Sequence, residues 1–317
     1  NENKKNISLP LNNLNLLKDE DHNGLNNLLK KELLKQSRNL IKKVVFLDHH
    51  ACHAAAAYHG LCGDDRPRLV LTLDGGGDWL CASVNVARDG KIKRVAKTPA
   101  GHSVGDLYSR TTCMLGFTPW EHEYKLMGMA PYADPHYAEP TSRIYDGYLG
   151  FDSQHPLRFR RLVSEPLSEV GPRLERDLGR TRFDSVCAGL QLFTERILCE
   201  WIRRCVGQTG VNRVLAAGGV FMNVKANKVV SELADVRSFE AFPYCGDESL
   251  PIGACYLEAR DLGAQPAPIE HCYLGNDLSE VLEEETDEEL ADWKPDGTLR
   301  QLAHFWCPNT YLELAMR

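Results

Sequence analysis

Between residues 43 and 260 the apolar positions alternate between short continuous runs and stretches spaced three or four apart. These are the signatures of buried strands and of amphipathic helices. Residues 43–47 (KVVFL), 69–73 (LVLTL), 80–86, 92–96, 211–217 and 239–243 read as strands. Residues 51–59, 188–205, 221–233 and 250–260 read as helices, the second with Leu190, Phe193, Ile197, Leu198 and Trp201 on one face. Gly75, Gly76 and Gly77 are expected to turn the chain between 69–73 and 80–86, and Arg88-Asp89-Gly90 to turn it again. Residues 102–132 become helical, broken by Gly116, Pro119 and Gly128. Residues 133–180, rich in Pro, Asp and Arg, read as an irregular insertion. From 188 to 260 helix and strand alternate, which implies neighbouring parallel strands and an α/β fold.

The flanks differ. Residues 1–22 are rich in Asn, Lys and Leu with little period, a poorly ordered lead-in, while 24–43 carry Leu25, Leu28, Leu29, Leu33, Leu34 and Leu40 as an amphipathic helix. After 265, Pro266 and Pro268 break the chain, and 277–292 is dominated by Glu and Asp. The expected organisation is a lead-in and helix over 1–43, a core of two lobes over 44–265, and an acidic linker or tail over 266–317.

Composition narrows the function classes. The chain has 317 residues, 43% of them hydrophobic and 26% charged, enough for a sizeable core. A net charge of -7 argues against nucleic acid or an anionic membrane as a bulk electrostatic partner. No apolar run reaches membrane-spanning length. Eleven cysteines are scattered with no CxxC pair, so neither a zinc knuckle nor a thioredoxin-type motif is available. The odd count, with no signal peptide, points to the reducing cytoplasm. A chain that begins with Asn rather than Met is expected to be a fragment or a processed form.

The chemistry concentrates in DHHACHAAAAYHG, residues 48–60. His49 and His53 are four apart at the start of an alanine-rich helix and so share a face. Alone, such a pair more often caps and lines a helix than binds an ion. Asp74 adds weight, because a carboxylate at the end of a buried strand is costly unless it meets a cation or donors. Asp247 ends the strand at 239–243 in the same way. Two imidazoles with one or two carboxylates suit Fe(II), Mn(II) or Zn(II). His50 points off the shared face and takes a structural role; His59 reads as a surface histidine. Gly75, Gly76 and Gly77 are either a flexible hairpin or a backbone cradle for phosphate. Gly218 and Gly219 after a strand, with Asn223, are either a tight strand-to-helix turn or a close approach to a nucleotide. Lys125 is either a solvated side chain or a phosphate ligand.

Six segments together resemble the carbamoyltransferase family, which includes nodulation-factor and antibiotic-tailoring O-carbamoyltransferases. They are DHHACHAAAAYH, LVLTLDGGGD, HSVGDLYSRTTCMLGFTPWEHEYKLMGMAPYA, AGLQLFTERIL, VLAAGGVFMNVKAN and PYCGDESLPIGAC, in family order over about 44–260. The resemblance implies an actin-like, acetate and sugar kinase-type ATPase fold, similar to that of the tRNA threonylcarbamoyl transferase. It implies that a carbamoyl adenylate, made from carbamoyl phosphate and ATP, sits on a divalent metal, Fe(II) favoured, and passes its carbamoyl group to a hydroxyl of a small-molecule acceptor. His49, His53, Asp74 and Asp247 would hold the metal. Gly75, Gly76, Gly77 and Lys125 would face phosphate, and Gly218, Gly219 and Asn223 the adenosine.

The chain departs from the family at both ends. Residues 1–43 show no histidine–aspartate hairpin, and the segment after 275 does not align with the family's second, adenylate-forming domain. The fold is therefore expected to be incomplete and truncated at both ends, with a separate adenylate-forming domain as a partner. The competing reading is a non-catalytic remnant that still binds metal and nucleotide. A tRNA-modifying relative fits less well, given the acidic charge and the EYKLMGMAPY block.

Overall fold

The computed structural model describes residues 45–265 and 267–271. The lead-in, the 24–43 helix and the acidic tail lie outside the described residues. By its contacts the chain divides into Asn1–Ile269 and Glu270–Arg317, and every element below lies in the first unit.

Helix α1 (His49–Leu61) leads into an antiparallel meander, β1 (Arg68–Gly77), β2 (Leu80–Arg88) and β3 (Lys91–Pro99). Helices α2 (Val104–Met114), α3 (Glu123–Met129) and α4 (Pro135–Tyr145) follow. A two-stranded ribbon, β4 (Leu149–Phe151) with β5 (Phe159–Arg161), precedes α5 (Gly171–Leu178) and the 27-residue α6 (Phe183–Thr209). The chain then alternates β6 (Arg213–Ala217), α7 (Val224–Ser231), β7 (Ser238–Ala241) and α8 (Leu250–Asp261).

The main sheet has the order β3-β2-β1-β6-β7. β1 pairs antiparallel with β2 and parallel with β6, and β6 runs parallel to β7. An antiparallel meander joined to parallel strands through β1 is the sheet of an actin-like, kinase-type lobe, and among the described residues one such sheet is present. β1 is its centre. Leu69, Val70, Leu71, Thr72 and Leu73 are all fully buried, as a strand covered on both faces must be. Ala54, Ala55, Ala56 and Ala57 of α1 are equally buried. Their small side chains let α1 lie flat on the sheet and against α8. At Gly253 of α8 a Cβ would sit 1.9 Å from the Cys52 carbonyl oxygen, so the two helix backbones touch.

Several local expectations give way to the structure. Residues 45–48 form no strand, and Val45 and Phe46 are 46% and 42% exposed. The glycines do not make the first hairpin turn. They extend β1 through a register irregularity between Leu73 and Gly77, and the turn falls on Asp78 and Trp79, with φ of 48° and 64°. The 133–180 segment is largely ordered as α4, the ribbon and α5. Pro135 and Pro172 occupy the first turns of α4 and α5, the former behind an Asp134 side chain that caps the His136 amide, and Pro140 is accommodated inside α4. Nor is His59 on the surface; it is buried beside Tyr58 and Tyr256, and burial pushes its imidazole down to about 4. No helix among the described residues is long and apolar enough to cross a membrane.

Candidate metal centre

β1, β6 and β7 are mutually parallel, and their carboxyl ends open on one crevice, where open α/β sheets bind ligands. Asp74 stands at the end of β1, Gly218 and Gly219 follow β6, and Asp247 begins the 3-10 turn Asp247–Ser249 after β7. Helix α1 delivers the histidines to the same place. Its start is pinned three ways. The Asp48 carboxylate accepts from the Ala51 amide and from Arg94 on β3, and the His49 amide donates to Asp78 Oδ2 at 2.7 Å. Gly77 lies under the His49 imidazole, where a Cβ would fall 2.2 Å from the ring.

His49, His53, Asp74 and Asp247 come together. His49 Nε2 lies 3.1 Å from Asp74 Oδ2 and 3.5 Å from Asp247 Oδ1; His53 Nε2 lies 3.3 and 3.5 Å from the same two oxygens. The two Nε2 atoms are 3.1 Å apart, and all four donor atoms fall within 4.8 Å of one another. Four donors each about 2.1 Å from one ion in a tetrahedron stand about 3.4 Å apart, so these edges have the size of an ion cage.

The supporting contacts fit ligation. Ser249 Oγ donates to the Gly246 carbonyl at 2.9 Å, so its lone pairs are left to accept from His53 Nδ1, 3.0 Å away. In the neutral imidazole that bond places the His53 proton on Nδ1 and leaves the Nε2 lone pair facing the cluster, whereas the protonated ring donates from Nε2 to Asp74. Asp74 is oriented in the same fashion. Its Oδ1 accepts from the Gly75 and Gly219 amides, which leaves Oδ2 toward the histidines. Burial alone would raise the Asp74 carboxyl, but the His49 and His53 hydrogen bonds hold it well below the usual range. Partial burial and the neighbouring Asp74 charge raise Asp247. His49 is opposed by burial, yet the carboxylates around it, Asp74 first, raise its imidazole. Two carboxylates and two imidazoles so close together could hold a cation.

His50 faces away. Its Nδ1 meets Thr72 Oγ1 at 2.8 Å, and burial pushes the ring down to about 4, so it stays neutral within the sheet packing.

The other residues singled out in the sequence are differently placed. Gly218 has φ of 103°, and a Cβ there would strike the Leu73 carbonyl oxygen at 2.3 Å, so the β6 exit lies directly on β1. Asn223 caps α7 through the Ala226 amide and exchanges two 2.9 Å hydrogen bonds with Gln191. Lys125 Nζ lies over the Phe117 and Tyr124 rings, at 5.5 and 5.8 Å. Gly76 is exposed at the mouth of the crevice, between half-buried Gly75 and Gly77.

Reading the sequence missed Ser249, although it sits two residues after Asp247. It also missed how HSVGD is used. Ser103 Oγ accepts from the Asp106 amide and donates to the Asp74 carbonyl, both at 3.0 Å, which ties the start of α2 to the end of β1. Gly105 permits this approach, since a Cβ there would lie 2.9 Å from the Gly75 nitrogen.

Comparison with known proteins identifies the family. Residues 4–256 match the family model described as carbamoyltransferase N-terminus, so the match begins well before the first motif read from the sequence. The nodulation protein NolNO of Sinorhizobium fredii is 29% identical over 262 residues, 79% of this chain and 36% of its own length. A tRNA N6-adenosine threonylcarbamoyltransferase of Cytophaga hutchinsonii is 25% identical over 74% of this chain and 68% of its own. Among solved structures, full-length HypF in a phosphate- and nucleotide-bound form aligns with a TM-score of 0.42 at 12% identity, over 74% of this chain and 45% of that one. The chain spans about a third to a half of the length of several curated relatives it matches.

Proposed function

The chain belongs to the carbamoyltransferase family, and from that premise we propose that its crevice transfers a carbamoyl group from a metal-bound carbamoyl adenylate to a hydroxyl of a small molecule. The observation that carries this reading is the convergence of His49, His53, Asp74 and Asp247 on one point at the carboxyl ends of three parallel strands. Neutral His53 is presented there with a bare Nε2 by Ser249.

The donor set fits a divalent ion. Two nitrogens and two carboxylate oxygens suit Fe(II), Mn(II) or Zn(II), with Fe(II) favoured by the family. Such an ion, when bound, draws charge from the phosphate of the donor and so makes it a better leaving group. The protein supplies the rest. Asp74 and Asp247 would repel a phosphate unless a cation stood between, so metal is expected to bind before donor. Of Gly75, Gly76 and Gly77, the phosphate-facing candidates, Gly76 offers exposed backbone that a phosphate could approach without a side chain in the way, while Gly77 lies under the His49 imidazole. Gly218 and Gly219 lie close against Leu73 and Asp74 of β1 and are the backbone that the adenosine would face on the β6 side, while Asn223 holds the start of α7 in register. Lys125, lying over two aromatic rings, is within the same motif block and is retained as a phosphate-facing candidate. Carbamoyl phosphate and ATP enter through a separate adenylate-forming domain, the hydroxyl acceptor binds over the crevice, and the cytoplasm is the expected compartment.

The test supplies the full chain, loaded with Fe(II) or Mn(II), with carbamoyl phosphate, ATP and an adenylate-forming domain, and measures consumption of carbamoyl adenylate. Wild type is expected to consume the donor above the blank, and His53→Ala to fall at least a hundredfold. Metal and nucleotide binding without any donor consumption would instead select the non-catalytic reading.

A further inference from the structure

A methyl group built on Gly75, one residue past the cluster ligand Asp74, would end 3.9 Å from two atoms: Asp106 Oδ1 and Trp120 Nε1. A molecule resting on that glycine therefore meets both a carboxylate and an indole nitrogen. Both are held in place. Asp106 lies in the first turn of α2, locked to the end of β1 by Ser103 and by the close approach at Gly105. Trp120 has φ of 65°, a left-handed conformation that is costly for a large side chain, and its amide donates to Glu123 Oε1 at 2.7 Å. The residue as a whole is 73% exposed.

The Asp106 carboxylate takes part in none of the hydrogen bonds or ion pairs found among the described residues. Arg110, one turn later on the same helix, stacks instead on Trp120, with its Cζ 5.5 Å from the ring centre and its buried Nε without a partner. Burial pushes the Asp106 carboxyl up to about 6; Arg110 opposes the shift, and Asp74 on β1 adds to it. The Cys81 thiol on β2 feels the same carboxylate and is itself pushed far up by burial, so it stays neutral. A half-buried carboxylate with no partner, beside an ion cage and an exposed aromatic wall, has the placement of a general base.

We infer that Asp106 takes the proton of the acceptor hydroxyl, with Trp120 as the wall against which the acceptor rests. The inference rests on the carbamoyl-transfer reading above. In the step, the hydroxyl O–H bond breaks and its proton goes to an Asp106 carboxylate oxygen. The hydroxyl oxygen bonds to the carbamoyl carbon of the adenylate. The bond from that carbon to the phosphate oxygen breaks, and its electron pair leaves with AMP. Asp106 then returns the proton to solvent.

Two probes separate this role from a structural one. Water is a hydroxyl acceptor that needs a base; hydroxylamine, already nucleophilic near neutral pH, does not. With the Mn(II)-loaded full chain and carbamoyl adenylate, Asp106→Asn is expected to lose at least thirtyfold in transfer to water. The variant should also lose the fall in rate that wild type shows below about pH 6, while its capture by hydroxylamine and its Mn content stay within twofold of wild type. Unchanged transfer to water, or an acid limb that persists in the variant, would overturn the inference. Equal loss with both probes, or loss of Mn, would make Asp106 a structural or binding group and overturn it as well. Wild type inert toward both probes would instead refute the carbamoyl-transfer reading, and this inference with it.

Discussion

At the scale of single residues, Ser249 decides what His53 can do. A neutral imidazole carries one proton, and the protein chooses the nitrogen by what it offers the other side of the ring. Here Ser249, its own proton spent on the Gly246 carbonyl, can only accept. Replacing it with alanine leaves Nδ1 without its acceptor and frees the ring to rotate or to carry its proton on Nε2. Ser249→Ala is therefore expected to weaken divalent metal binding about 10- to 100-fold, as loss of an outer hydrogen bond to a ligating histidine does, with little change in melting temperature; equilibrium dialysis against Mn(II) checks this. The sequence shows the histidine pair plainly, because helix period puts i and i+4 on one face. Ser249 is not legible that way. It meets His53 from nearly two hundred residues away, and no local period links the two.

At the scale of elements, the alanine run of α1 and the glycine of α8 are one device. Four alanines with almost no exposure let α1 settle on the sheet, and Gly253 lets α8 settle on α1 with its backbone against Cys52. α1 carries His49 and His53, and α8 follows directly on the turn that carries Asp247 and Ser249. The helix pair thus sets the separation across the cluster. Gly253→Ala puts a methyl group 1.9 Å from a carbonyl oxygen, a clash that only backbone movement relieves. It is expected to destabilise the fold by about 3 kcal/mol in denaturant unfolding and to lower metal affinity at the same time. The strands of the main sheet and the long α6 were readable because their apolar patterns are strong and continuous, although the equally apolar KVVFL forms no strand over 45–47. The 133–180 segment was not, since prolines that begin helices look in sequence like prolines that end them. The first hairpin was misread for a related reason: a glycine run marks freedom of the backbone, and here that freedom serves close packing against His49 and α2 rather than the turn itself.

At the scale of the whole molecule, the sheet explains why the site lies where it does. β1, β6 and β7 run parallel, so their carboxyl ends deliver Asp74, Gly218, Gly219 and Asp247 to one edge of the fold, and α1 returns the histidines to the same edge. The order of these elements along the chain was legible in the sequence. Their convergence was only implied, because it depends on long-range pairing of β1 with β6. In the proposed function the four-donor cluster is a divalent metal site around which the rest of the crevice is arranged. The most direct measurement is anaerobic equilibrium dialysis of the full chain against Fe(II) and Mn(II), with His53→Ala and Asp74→Asn in parallel. The account predicts one ion per chain in the wild type and none retained by either variant. Absence of stoichiometric binding in the wild type, or equal metal content in all three proteins, would contradict it.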